Sequence, residues 1–302
     1  MYVKITLGDI MLGAIIGDIA GSSYEVKEVK SIKDGINHEE RTKILDKDVP
    51  LFNKDSSYTD DTVLTAAIAS SILNSTSYEK SLRLYGLREY NLGLDKYGRN
   101  RFGKGFCDWL LGDYIGNSYG NGCAMRISPI ANYYNNMDKI IEEVYDATYP
   151  SHDHDDSYYA ALAVSMCIYF AKQKMDKDSI EEIISYGFNY NLNLDLEELQ
   201  KNYKFTSKAK DSVPQAIFCF LKSNDFEDAI RKAISIGGDS DTIAAITGSI
   251  AENYYGIDEK LIKEAEKYLP EYIINITNDF YKAMDKEEPF KKRLKEKKKE
   301  YI

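Results

Sequence analysis

The sequence predicts an all-α protein, folded as one compact domain of many helices. Three observations favour this fold class. Apolar residues recur at helical spacing in six stretches, 61–74, 157–172, 179–187, 214–222, 241–254 and 270–283. A strand-like alternation occurs in YVKITL near the start, too little for a parallel sheet wound with helices. No linker rich in Pro, Gly or Ser divides the chain, so we interpret 1–302 as a single domain.

Composition and charge narrow the function. The chain has 302 residues, 43% of them hydrophobic, and a formal net charge of −10. That charge argues against a nucleic-acid partner, since phosphates are bound by basic surfaces. The basic run at 286–302 is interpreted as a solvated tail. The sequence shows neither a signal peptide nor a membrane span, and its scattered cysteines form no CxxC pair, so we expect a cytoplasmic protein, monomeric by preference.

The first helical stretch, GAIIGDIAGSSYEV, is rich in glycine and contains Asp18. Gly13 and Gly17 are typical of close helix packing. Glu25 follows Gly-Ser-Ser in a predicted loop, and it is either a surface charge or a general acid or base held over a site. The polar segments 23–58 and 91–125 are predicted to be long loops, and loops of that length are often functional.

Two helix starts carry crowded acidic residues. SSYTDDTVLTAA at 56–67 places Asp60 and Asp61 before an apolar helix. SIGGDSDTIAAI at 235–246 repeats the arrangement with Asp239 and Asp241. Both segments fit simple helix capping, because Asp, Ser and Thr satisfy free amides and negative charge suits a helix N-terminus.

The alternative is that the two helix starts face each other across a cleft. Four carboxylates could share that space only with a compensating cation. Oxygen ligands without clustered His or Cys favour Mg²⁺, Mn²⁺ or Ca²⁺, and the number of carboxylates indicates two metal ions between the helix N-termini. The residue pattern alone leaves both accounts open.

Other polar segments are weaker signals. NSYGNGCAMR at 117–126 offers backbone amides that could hold phosphates, or it is an ordinary turn. His152 and His154 in SHDHDDSYY could bind metal, although a polar loop that caps a helix at Ser157 is the simpler interpretation. In KDSVPQAI, Ser212 is predicted to cap a helix.

Five segments taken together resemble the ADP-ribosylglycohydrolase family: GAIIGDIAGSSYE, YTDDTVLTAAIA, SYGNGCAMRISPI, SVPQAI and AISIGGDSDTIAAITGSIAENYYG. They occur in the family's order from residue 11 to about 256, which makes residues 1–10 a possible N-terminal extension. The resemblance implies an all-α domain with two Mg²⁺ or Mn²⁺ ions. It also implies hydrolysis of the bond between C1″ of ADP-ribose and an acceptor, either a modified protein or a small ADP-ribose derivative.

Carried over by position, the resemblance implies three groups of site residues. Thr59, Asp60, Asp61, Asp239, Asp241 and Thr242 match the metal ligands. Glu25 matches the family's glutamate near the scissile bond. Substrate contacts match Ser118, Tyr119, Gly120, Asn121, Gly122 and His152.

Two other functions compete with this interpretation. Oxygen-rich two-metal centres also serve phosphoryl transfer, so the chain could be a phosphatase. A family scaffold can also persist as a non-catalytic ADP-ribose-binding protein, although all the implied ligands are present here. If Glu25 does not carry the proton, Asp108 is the next candidate, and the acceptor is not specified by the sequence.

Overall fold

The structure, a computed structural model, describes residues 11–30, 38–94, 100–286 and 289. Its α-helices in chain order are α1 Leu12–Lys30, α2 His38–Thr42, α3 Asp60–Asn74, α4 Tyr78–Asn91, α5 Lys104–Leu111, α6 Ser128–Tyr133, α7 Met137–Thr148, α8 Asp155–Lys172, α9 Lys177–Phe188, α10 Leu196–Asn202, α11 Ala209–Leu221, α12 Phe226–Ile236, α13 Ser240–Tyr255, α14 Glu259–Ala265 and α15 Glu271–Ala283. The strand-like stretch 2–7, the possible extension 1–10 and nearly all of the tail 286–302 lie outside the described residues.

The all-α prediction is confirmed. Within the described ranges the extended backbone forms only two isolated bridges, Asn117 with His152 and Gly120 with Lys208. Every predicted helical stretch coincides with a helix, and α13 is buried along nearly its whole length. None of the described helices combines the length and the apolar character needed to cross a membrane.

Glycines bring α1 and α13 into backbone contact. A Cβ atom on Gly13 or Gly17 would lie 2.1 Å from the carbonyl oxygen of Gly248 or Ala244, respectively. A Cβ on Gly21 would lie 2.3 Å from the carbonyl oxygen of Ser240. The two helices are therefore antiparallel, and the C-terminal half of α1 lies against the N-terminus of α13. The interpretation of Gly13 and Gly17 as packing residues is confirmed.

The prediction that 23–58 and 91–125 are loops is wrong in part. Helix α1 continues through Gly-Ser-Ser to Lys30, so Glu25 lies within a helix. The helix tolerates Gly-Ser-Ser because the Ser22 hydroxyl is satisfied within the helix, donating to Ile19 O at 2.9 Å, and because Gly21 is packed against α13. Helix α5 lies in the second segment, where its eight residues are too few for a clear period.

The predicted cap at Ser212 is also wrong. Helix α11 begins at Ala209, and Lys208 is its N-cap residue. The Ser212 hydroxyl donates to Lys208 O at 2.9 Å, an internal bond of the first turn that competes with capping. The cap of α8 is His154 rather than a residue at Ser157.

Candidate functional site

The two acidic helix starts face one cavity of about 740 Å³. Thr242 Oγ1, on α13, lies 3.3 Å from Asp61 Oδ2, on α3. Every predicted site residue except Tyr119 lines this cavity. The sequence left open whether the two acidic helix starts face each other, and the structure places them side by side in this cavity.

The carboxylates form two compact groups. Oxygens of Asp18, Asp61 and Asp241 lie within 4.8 Å of one another, and so do oxygens of Glu25, Asp239 and Asp241. Asp241 belongs to both groups. Glu25 is half-buried, whereas the four aspartates are buried. Donors in this arrangement are all oxygen atoms, a set that suits hard divalent cations.

Burial and mutual repulsion raise the pKa values of these carboxyls. Burial raises the pKa of Asp60 to about 8, with a further contribution from the charge of Asp18. Burial also raises the pKa values of Asp61 and Asp241 well above the ordinary value, with further contributions from the charge of Asp18 at Asp61 and of Glu25 at Asp241. Protein atoms alone therefore leave this cluster poorly compensated, and it favours either protons or a bound cation.

Asp18 is a site residue that the sequence reasoning did not assign. Its carboxylate accepts hydrogen bonds from the backbone amides of Thr59 at 2.9 Å and Thr62 at 3.1 Å. Both threonine hydroxyls also contact it. Burial raises the pKa of Asp18 to about 6, against the effect of these donors. A signal was present in the sequence, since Asp18 precedes Glu25 by two helical turns and so shares its face of α1.

The start of α3 combines capping with unsatisfied charge. Thr59 is the N-cap residue, and its hydroxyl lies 3.4 Å from the Asp61 amide. Simple capping thus accounts for Thr59. It does not account for Asp61 Oδ1, which is buried and has no hydrogen-bond partner within the described part of the chain. Asp60 lines the cavity beside it.

The start of α13 is built differently. Gly237 and Gly238 both have φ of +73°, a left-handed conformation that favours glycine. Asp239 is the N-cap residue, yet its side chain makes no capping bond. Instead, Asp239 Oδ2 accepts from Asn121 Nδ2 at 2.8 Å. Burial raises the pKa of Asp239 to about 6, and the Asn121 bond opposes that rise.

The predicted substrate loop lines the same cavity as the start of α3. The side chain of Asn121 is committed to Asp239, and its amide donates to Ser207 O at 2.8 Å. The Gly120 amide lies 3.1 Å from Ser118 Oγ. Two of the amides proposed to hold phosphate are therefore already bonded within the protein. Tyr119 is half-exposed and its ring packs near His154 instead.

His152 is buried at the cavity wall. Its Nδ1 lies 2.7 Å from Ser151 Oγ. Burial, and secondarily the charge of Arg126, lower the pKa of His152 well below its ordinary value, so the ring is neutral. His154 caps α8 through its Nδ1, which accepts from the Asp156 amide at 3.1 Å.

Basic residues of the cavity wall were also missed. Arg126 is fully buried there, and Arg101 forms an ion pair with buried Glu89 at 3.0 Å. Arg101 also donates to Tyr58 O at 2.7 Å, next to the acidic start of α3. Asp108 lies outside the cavity lining and pairs with Lys104 at 2.7 Å on the surface.

Fold and site together define an all-α protein with a buried, oxygen-only acidic centre inside one large cavity. The chain belongs to the ADP-ribosylglycohydrolase family, whose sequence model matches residues 8–289. The resemblance seen in the motifs is thereby confirmed, and the match extends beyond residue 256, where the motifs end. Membership in this family supports a hydrolase.

Individual relatives are distant in sequence. The chain is 24% identical over 310 residues to ADP-ribosylhydrolase ARH3 of Mus musculus, with 82% of this chain and 83% of the relative covered. It is 26% identical over 309 residues to ADP-ribosylhydrolase ARH3 of Xenopus tropicalis, with coverage of 82% and 87%. A solved structure, the ADP-ribosylglycohydrolase-related protein complex, shares the fold with a TM-score of 0.64 at 20% identity, covering 90% of this chain and 96% of that one.

Proposed function

We propose that the protein is a metal-dependent hydrolase that cleaves the C1″ glycosidic bond between ADP-ribose and an acceptor, either a modified protein or a small molecule. The observation that carries the proposal is the sharing of Asp241 by two acidic groups inside one cavity. Family membership and the names of the ADP-ribosylhydrolase relatives support ADP-ribose as the substrate class. A volume of about 740 Å³ lies in the usual range for small-molecule sites.

The residues fit divalent cations. Asp61 Oδ1 is a buried acceptor with no partner in the described part of the chain, and the surrounding donors are all oxygen atoms. Thr59, Asp60, Asp61, Asp239, Asp241 and Thr242 are the proposed ligands of two Mg²⁺ or Mn²⁺ ions. Asp18 is already saturated by four donors from Thr59 and Thr62, and we assign it to positioning α3.

Other residues of the chain would transfer the proton and hold the ligand. When bound, the cations would supply charge compensation and fix the hydroxyls of the distal ribose. Glu25 is half-buried beside Asp239 and Asp241 in the cavity lining, and it would accept or donate the proton at the reacting bond. The loop residues that line the cavity would hold the ligand together with His152: Ser118, Gly120, Asn121 and Gly122.

A panel of defined substrates tests the proposal. Arginine-, serine- and nucleic-acid-linked ADP-ribose, together with acetyl and phosphate esters of ADP-ribose, would be incubated with the protein in Mg²⁺, Mn²⁺ or chelator. Mass spectrometry should detect free ADP-ribose from at least one of them, and only with metal present. Release of ADP-ribose from the phosphate ester alone, together with inorganic phosphate, would instead indicate a phosphatase. Tight binding of ADP-ribose without any release would indicate a binding protein.

A further inference from the structure

Arg126 is a buried arginine whose donors are only partly used. Its side chain is fully buried in the cavity wall. Nη2 donates to Ala147 O at 3.1 Å and to Ser151 Oγ at 2.8 Å. Nε and Nη1 have no hydrogen-bond partner among the residues that the structure describes. Burying a guanidinium with two of its three nitrogens unpaired is energetically costly. The contact that Arg126 makes with Ser151 therefore calls for a functional explanation.

The contact with Arg126 and the lack of a second acceptor together favour one direction for a hydrogen-bond chain: among the described residues, His152 Nδ1 is the acceptor within reach of the Ser151 hydroxyl. Arginine can only donate, so Ser151 Oγ is the acceptor from Arg126. The single proton of the serine hydroxyl is then free to be donated to His152 Nδ1, 2.7 Å away. A neutral imidazole carries one proton, and an accepting Nδ1 requires that this proton be on Nε2.

The Nε2 side of the ring faces the glycine loop. A Cβ on Gly122 would lie 3.2 Å from His152 Nε2, and one on Gly120 would lie 4.0 Å away. Within the described ranges Nε2 makes no hydrogen bond to the protein, and His152 lines the cavity. The absence of side chains at these two glycines leaves the Nε2–H group room to reach a ligand.

We propose that Arg126 and Ser151 are positioning residues that lock His152 in its Nε2–H tautomer, so that it presents a neutral donor to a phosphate or hydroxyl oxygen of the ligand. Burial of the ring supports this, since it keeps His152 uncharged. The ligand-binding role rests on the proposed function, whereas the tautomer is a property of the ligand-free protein. We call the hydrogen-bond chain from Arg126 through Ser151 to His152 the relay. His154 is an internal reference for the tautomer of His152, because its Nδ1 accepts from a backbone amide and does not depend on the relay.

Nitrogen NMR of histidine-labelled protein tests the relay directly, because the chain contains only three histidines. Signals would be assigned with His38→Gln and His154→Gln variants. In the wild type, His152 and His154 should both show a protonated Nε2 and an unprotonated Nδ1. In Ser151→Ala, His152 should change to a mixture of tautomers while His154 stays unchanged. Ser151→Thr keeps the hydroxyl and should restore the wild-type pattern, which a purely structural effect of residue 151 would not predict.

Calorimetry with ADP-ribose tests the ligand role. Ser151→Ala should weaken binding by roughly three- to tenfold, the scale of one neutral hydrogen bond, and Ser151→Thr should recover it. A wild-type His152 protonated on Nδ1, or an unchanged tautomer in Ser151→Ala, would overturn the relay. A changed tautomer with unchanged affinity would overturn the donor role. Failure of the wild type to bind ADP-ribose would count against the proposed function instead, and the tautomer measurement would still decide the relay.

Discussion

The starts of α3 and α13 share a sequence pattern but are held by different forces. At α3, polar bonds fix the helix end, because Asp18 accepts from Thr59 and Thr62. At α13, packing fixes it, because Gly21 of α1 lies against the backbone of Ser240 and Asp241. The α13 carboxylate at Asp239 is oriented by Asn121 from a separate loop. One residue pattern therefore delivers carboxylates to the cavity through two different kinds of support, both of which come from α1.

A third acidic helix start sharpens this comparison. Helix α8 also begins with two aspartates, Asp155 and Asp156, after the cap at His154. Asp155 is exposed, and Asp156 pairs with Lys210 at 3.7 Å. Crowded aspartates at a helix start thus serve ordinary capping and dipole compensation when they face solvent. Burial in a shared cavity is what separates α3 and α13 from α8.

The largest effect is expected from Asp241, the carboxylate common to both acidic groups. Asp241→Asn should abolish measurable turnover and lower the number of bound divalent ions, because both groups lose a negative ligand. Asp60→Ala should also abolish turnover. The measurements are substrate hydrolysis and metal content by mass spectrometry.

Asp155→Asn is the matched control for Asp241→Asn, since it removes an equivalent charge from the exposed start of α8. It should leave activity within about twofold, in line with a surface substitution. Full activity in Asp241→Asn, or an equal loss in both variants, would break the distinction between buried and exposed acidic helix starts.

Glu25→Gln should separate chemistry from binding. The variant keeps shape but loses the proton-accepting charge, so kcat should fall by roughly 10² or more. Affinity for ADP-ribose and metal should remain within about tenfold. Asp108→Asn is the control, because Asp108 lies on the surface against Lys104. Near-normal kcat with weak ADP-ribose binding would make Glu25 a ligand-holding residue.

Metal should stabilise the fold more at high pH than at low pH. The folded pKa of Asp239 is about 6 and that of Asp60 about 8, both above the ordinary value of 3.8. The metal-free folded state therefore binds more protons than the unfolded state between about pH 4 and 8, and its stability falls as pH rises through that window. A cation removes this penalty by compensating the charge.

Thermal melts in Mg²⁺ and in chelator measure that effect. The difference in Tm should be larger near pH 8 than near pH 5. Equal differences at the two pH values, with metal shown to be removed in chelator, would contradict the proposed compensation. Asp241→Asn should show a smaller Mg²⁺ effect than the wild type at both pH values.

The smallest expected effect is on stability, at the packed support of α13. Gly21→Ala places a Cβ 2.3 Å from Ser240 O, so α1 and α13 must separate. The free energy of unfolding should fall by about 1–3 kcal/mol. Gly187→Ala in α9 meets open space and should instead add about 0.5–1 kcal/mol. Denaturant melts compare the two, and equal effects would mean that the α1–α13 contact is not tight.

Much of the fold followed from the sequence because helical periodicity is local. The stretches 61–74 and 241–254 coincide with α3 and α13, since their apolar residues recur over several turns. The length of α1 did not follow, because Gly-Ser-Ser is typical of a turn. Tertiary contacts accommodate these small residues within the helix: Gly21 packs against the backbone of α13, more than two hundred residues away, and the Ser22 hydroxyl accepts from the Ser57 amide.

Part of the site could also be predicted from the sequence, because some of its residues form local motifs. The acidic pairs at α3 and α13 were visible as motifs, yet their meeting depends on tertiary packing. Asp18 was missed because a lone aspartate inside an apolar helix has no local signature, and its partners Thr59 and Thr62 lie far along the chain. Arg126 was missed likewise, since its contact with Ser151 is not encoded by spacing.

The glycine contact between α1 and α13 has a consequence for ion size. Backbone contact fixes the distance between α13, which carries Asp239 and Asp241, and α1, whose Asp18 positions the start of α3, and backbone yields less readily than side chains do. Oxygen ligands surround Mg²⁺ at about 2.0–2.1 Å but Ca²⁺ at about 2.3–2.6 Å, with more ligands. On the proposed function, a site whose helices can separate so little would discriminate against Ca²⁺ because of its larger radius, although the two ions carry the same charge.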